Sequence, residues 1–134
     1  MNAAASRNQY LKEQVMSATP ARLLTMLYDR LVLDLKRAEE AQGREDWAAA
    51  GTQLVHAQAI ITELQTSLNR NVWDGAEGLF AVYTYVANAL VNANINRDIS
   101  LTREALTMIE PLQQTWHDAA AAIGSGQTGA VGVA

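Results

Sequence analysis

Residues 19–43 read TPARLLTMLYDRLVLDLKRAEEAQG, and how this stretch folds decides the rest of the chain. Thr19 has the side-chain oxygen of an N-cap, Pro20 suits the first helical position because its missing N–H has no partner there, and Gly43 suits the stop. The markers predict a helix over Pro20 to Gln42 with Leu24, Leu31 and Leu35 along one stripe. Tyr28 falls at the edge of that stripe, Asp29 points away from it, and Met26 and Leu33 lie on the opposite side. Glu39 and Glu40 adjoin Lys36 and Arg37, the pattern of a solvated helix face rather than an acid/base pair.

The same periodicity continues outward. Asp46 is a candidate cap for a second helix from Trp47 to Leu68, whose apolar residues Trp47, Ala50, Leu54, Ala57, Ile61, Leu64 and Leu68 alternate spacings of three and four. Asp74 followed by Glu77 resembles a capping box for a third helix reaching Asn94, with Ala76, Leu79, Tyr83, Val86, Leu90 and Ala93 inside. A fourth runs from Ile99 to Ala122 with Leu101, Ala105, Met108, Ile109, Leu112, Trp116 and Ala119 inward and a kink expected at Pro111. Short connections make consecutive helices antiparallel neighbours, so the predicted fold is an all-α, up-down-up-down four-helix bundle. It spans residues 17–123, between an amphipathic strap or cap at 1–16 and a flexible glycine-rich tail at 124–134.

Composition narrows the function. A chain of 134 residues, 49% hydrophobic and 18% charged, fits one domain with one core. The net charge is −4 and no Lys or Arg follows Arg103, so no basic track for nucleic acid is expected. The absence of cysteine removes disulfides, thiolate metal sites and cysteine nucleophiles, and suits a reducing compartment. Without a signal-like apolar region at the N-terminus, or an apolar run of roughly 18 residues, no membrane insertion is expected. A cytoplasmic protein is the resulting expectation.

Candidate chemistry is sparse. Gly124, Gly126 and Gly129 match a dinucleotide fingerprint in letters only, because no strand precedes them and no helix follows. His56 and His117 lack the Glu-x-x-His spacing of bundle metal sites, since Gln53 and Gln114 stand three residues before them. Both fall well off their helices' core stripes, as two separate surface histidines. No serine sits in a nucleophile-elbow pattern. Neither a catalytic residue, a metal nor a cofactor is expected, and the chain does not read as an enzyme.

Apolar surface is instead in surplus. Besides Met26 and Leu33, the third helix carries a second row, Gly78, Val82, Tyr85 and Ala89, displaced by about 100° from its core row at ~3.6 residues per turn. Val55 and Ala59 sit off the seam of the second helix, with Ile60 flanking it on the other side. Apolar residues on two faces of several helices point to a partner that covers one of them. The candidate contacts are Met26, Leu33, Val55, Ala59, Val82, Tyr85 and Ala89, with Tyr10 in the strap.

Four stretches in order carry a family likeness: YLKEQVMSATPARLLTMLYDRLVLDLKRAEEA from Tyr10, GREDWAAAGTQLVHAQAIITELQTSLN from Gly43, LFAVYTYVANALVNANINRD from Leu79 and LQQTWHD from Leu112. Together the sequence resembles the FliS family, the flagellin-specific export chaperones of bacterial flagella. The resemblance implies a bundle that binds the disordered C-terminal segment of flagellin, blocks premature polymerisation and keeps the client fit for flagellar type III export. It further implies that the client wraps the bundle, that residues 1–16 with Tyr10 cover a groove in its absence, and that export-gate components are further partners. Two alternatives stand beside it: a histidine phosphotransfer bundle acting through His56, and a bundle that self-associates.

Overall fold

The structure, a computed structural model, describes residues 5–7, 9 and 19–124. Tyr10 and most of the strap, and residues 125–134 of the tail, lie outside the described residues. Four helices form the body: α1 Pro20–Gly43, α2 Trp47–Ser67, α3 Ala76–Ile95 and α4 Ile99–Gly124. Each packs on its sequence neighbours, and α4 closes back on α1. The arrangement is a ring of four, in which α1 and α3 stand diagonally opposite.

The helix ends follow the local chemistry of the sequence. Thr19 Oγ1 accepts a hydrogen bond from the Arg22 N–H at 3.2 Å, and Asp46 Oδ1 accepts one from the Ala49 N–H at 3.2 Å. The α1–α2 and α3–α4 turns share one design. In each, a residue in the left-handed region, Glu45 (φ 58) or Arg97 (φ 52), lets the next N–H reach a carbonyl five residues back. Asp46 N donates to Ala41 O at 2.9 Å and Asp98 N to Ala93 O at 3.0 Å. The aspartate that ends each turn then serves the following helix, since Asp98 Oδ1 accepts from Ser100 N at 2.9 Å.

The third helix departs from expectation at its start. Gly75 is its N-cap and makes no side-chain capping bond, while Glu77 binds Arg70 instead of reaching back to Asp74. The guanidinium offers a charge-assisted, bidentate fork, which outcompetes a single backbone N–H as a carboxylate partner. In α4, the buried stripe is Thr102, Ala105, Leu106, Ile109 and Trp116, whereas Leu101, Met108, Leu112 and Ala119 are only half-buried. The expected stripe was therefore rotated slightly, because the polar Thr102 does not register in a hydrophobic count. The helix is continuous through Pro111, whose carbonyl accepts from Thr115 Oγ1 at 3.0 Å. Ile60, expected on a flank, is buried in the core.

Tyr28, Leu31 and Leu35 of α1, Leu54, Ile61 and Leu64 of α2, Tyr83, Val86 and Leu90 of α3, and Ile109 and Trp116 of α4 fill the centre. Their burial against water is the main stabilising term, roughly 1.5–3 kcal/mol for each large side chain. Tyr28 is no edge residue: it is fully buried, and its hydroxyl lies 2.6 Å from that of Tyr83. The Trp116 ring stands 6.2 Å from the Tyr28 ring, tilted at 56°.

Candidate functional site

Both histidines are exposed, as the sequence implied, but each is also anchored to α1. His117 Nε2 lies 2.6 Å from Asp29 Oδ1, which also accepts from Gln113 Nε2 at 2.9 Å, so Asp29 ties α1 to α4. His56 Nδ1 is hydrogen-bonded to Asp34, tying α1 to α2. Asp34 is completely buried and its other oxygen accepts from Arg30 Nε at 2.9 Å. A buried carboxylate is costly unless its lone pairs are taken, and here both oxygens are. Distance along the sequence hid these pairs: Asp34 and His56 lie 22 residues apart, Asp29 and His117 lie 88 apart. Among the described residues, no cluster of three or more His, Cys, Asp or Glu could hold a metal ion.

The surplus apolar residues are distributed over three surfaces. On α3, Tyr85 is half exposed and its hydroxyl donates to Glu104 of α4, which holds the ring against that helix. This bond pushes the Tyr85 hydroxyl pKa above its ordinary value, because the neighbouring carboxylate opposes a phenolate. Beside it, Tyr85, Asn88, Ala89, Asn92 and Leu101 line an open groove of about 290 Å³ between α3 and α4. Ala89 forms buried floor rather than rim, and Val82 is half-buried against the core. The row read from the sequence is thus a groove wall with Tyr85 as its prominent apolar side chain.

The opposite flank of α3 carries apolar residues that the sequence reading passed over. Val91 and Ile95 are exposed, Ile95 by 71%. The flank faces α2, since Gln65 Nε2 donates to Thr84 Oγ1 at 3.1 Å and Val91 follows Thr84 by seven residues. Near the other end, Gly51 abuts the Asn94 side chain, and this antiparallel register brings Val55 level with Val91. Val55 and Ala59 are both exposed. A helical count of every apolar position on α3, not only those beside the core row, would have found Val91 and Ile95 four residues apart.

Met26 and Leu33 belong to neither flank. They share the outward face of α1, Leu33 exposed and Met26 half-buried, diagonally across the ring from α3.

Comparisons with known proteins take in the N-terminal segment as well as the helical body and stop short of the glycine-rich tail. The family profile described as flagellar protein FliS matches residues 2–123. The chain is 32% identical over 110 residues to the flagellar secretion chaperone FliS of Bacillus subtilis (strain 168), covering 82% of each. It is 29% identical over 110 residues to the flagellar secretion chaperone FliS of Escherichia coli (strain K12), covering 81% of each. Among solved structures, the crystal structure of a flagellar chaperone from bacteria superposes with a TM-score of 0.70 at 16% identity, over 90% of this chain and 98% of that one. No helix among the described residues is long and apolar enough to cross a membrane.

Proposed function

We propose, from the premise that this chain belongs to the FliS family of flagellar proteins, that it is a cytoplasmic export chaperone for flagellin. It binds the C-terminal segment of the unpolymerised client along both flanks of α3, prevents premature polymerisation, and presents the client to the flagellar export gate. The work is binding without catalysis. One observation carries this reading: apolar side chains stand exposed on both sides of one helix, Tyr85 over the α3–α4 groove and Val55, Val91 and Ile95 at the α2–α3 junction. A segment that wraps α3 would bury all of them, each large one contributing roughly 1.5–3 kcal/mol before ordering costs.

The chemistry of the groove suits such a segment. Ala89 gives a close-packed floor, and the amides of Asn88 and Asn92 at the rim can satisfy peptide groups that an incoming chain removes from water. Val82, Tyr85 and Ala89 would meet the client on one flank, and Val55 and Ala59 on the other. Tyr10 and the rest of residues 1–16 would cover a groove until the client displaces them.

Calorimetry with a flagellin C-terminal peptide should give a markedly negative heat-capacity change, the signature of apolar burial coupled to folding. Tyr85→Ala combined with Val55→Asp should weaken binding by more than about tenfold while the unfolding midpoint holds. Absence of binding at micromolar peptide would overturn the function, and unaltered affinity in the double variant would overturn the site.

A further inference from the structure

The outward face of α1 is chemically unlike the flanks of α3. Reading along it, Arg22, Met26, Arg30, Leu33 and Arg37 follow at spacings of four, four, three and four, and Arg44 stands at the C-cap seven residues beyond Arg37. These positions form one stripe about 33 Å long at ~1.5 Å rise per residue. Four of the ten basic residues of a chain with net charge −4 are gathered there, all of them arginine. Lys36, the helix's one lysine, faces α4 instead and lies 3.8 Å from Glu110.

Glu40 stands on the same face, three residues beyond Arg37, and with Asp34 it offsets two of the four arginines, so the stripe keeps a smaller net positive charge. Asp34 takes Arg30 from beneath, fully buried, and Glu40 takes Arg44 at 2.7 Å. Asp29 is turned to Gln113 and His117, and Glu39 to Arg103, both on α4. Arg37 is exposed and has no carboxylate partner among the described residues. The bond to Asp34 also has a geometric effect: it restrains the Arg30 guanidinium, reducing the side-chain freedom lost on docking. His56, hydrogen-bonded to the same carboxylate, extends the polar border onto α2.

From this arrangement we propose that the outward face of α1 is a docking surface for an acidic amphipathic helix of a second protein, distinct from the client. Leu33 and Met26 supply the apolar contact, and Arg37, which has no carboxylate partner of its own among the described residues, leads the pairing with carboxylates of the incoming helix, flanked seven residues away on either side by Arg30 and Arg44. Arginine fits this role because its planar fork binds a carboxylate with two parallel bonds and sheds water more readily than an ammonium group. The face lies across the ring from α3, so a client held there leaves it open, and both partners can be bound together.

The test uses the full chain and a synthetic amphipathic helix of roughly three heptads, with glutamates along one face beside a leucine stripe. Controls are the same peptide with glutamine for glutamate and a scrambled peptide of equal charge. Fluorescence anisotropy should show binding of the acidic helix that weakens at high salt, and binding to both controls at least about tenfold weaker. Chemical-shift changes should centre on Met26, Leu33 and Arg37. Arg37→Glu and Leu33→Ala, both at exposed positions, should each lower affinity, and the pair together by more than about tenfold, with the unfolding midpoint retained. Saturation with a flagellin C-terminal peptide should leave the acidic helix bound with unchanged affinity. Equal binding of the scrambled peptide, shifts centred on α3, indifference to the two substitutions, or competition with the flagellin peptide would each overturn the proposal. Failure of the flagellin peptide to bind at all tests the client function separately.

Discussion

At the scale of single residues, the pair Tyr28 and Tyr83 governs how the core tolerates polarity. Two phenols meet at 2.6 Å in the centre of the bundle. Burial pushes both pKa values up, because a phenolate there would lose its hydration. A folded-state pKa above the unfolded value near 10 means that the stabilising contribution is complete below about pH 10 and is lost as pH rises through the folded value. Tyr28→Phe and Tyr83→Phe should each destabilise by roughly 1–3 kcal/mol at neutral pH, because each leaves the other hydroxyl without its partner, and the double variant by less than their sum. Denaturant unfolding checks this directly. Above about pH 10, the double variant should lose less stability than the parent. An additive cycle would show that the hydroxyl bond is energetically irrelevant. The sequence placed Tyr28 beside the core stripe but could not show its partner, since a contact across 55 residues leaves no local pattern.

At the scale of elements, the two three-residue turns explain why helix boundaries were so legible. Their aspartates and the N-cap threonine act within a few residues, a range over which sequence and geometry are nearly the same thing. Glu45 and Arg97 were not legible as turn formers, because left-handed positions ordinarily favour glycine and neither residue announces the conformation. Glu45→Gly should accordingly stabilise the protein by roughly 0.5–1 kcal/mol, read as a raised unfolding midpoint, whereas a lowered midpoint would show that the glutamate side chain stabilises more than its backbone strain costs. Arg97 is a poorer test, since its guanidinium lies 5.3 Å from the Trp47 ring centre. The start of α3 failed as a reading for a related reason. A capping box is a local pattern, but Arg70, seven residues from Glu77, competes for the same carboxylate.

At the scale of the whole molecule, core and surface were unequally readable. Helical phase separated inner from outer positions well enough to place Leu33, Val55 and Tyr85 outside. It could not say which outer residues face the same neighbour, because that depends on the order of helices around the ring and their register. Val82 and Ala89 therefore proved to be wall and floor of a groove, and Met26 and Leu33 proved to belong to a different side. The ring also implies a cooperative unit: α4 contributes Trp116 against Tyr28, and Gln113 and His117 to Asp29. A chain ending at Asp98 should lose the sharp unfolding transition and near-ultraviolet circular dichroism of the full protein. Retention of both would show that the first three helices form a stable unit alone.

The closure of α4 on α1 also bears on how the protein is born. The bond from Gln113 to Asp29 joins positions 84 residues apart. While the ribosome is still making the last helix, the emerged part of the chain has its α3–α4 groove half built and the α4-facing edge of its core open to water. A nascent copy is therefore itself an aggregation-prone polypeptide, and it cannot shelter another chain until α4 has been translated. Coupled synthesis of chaperone and client would favour making the chaperone first.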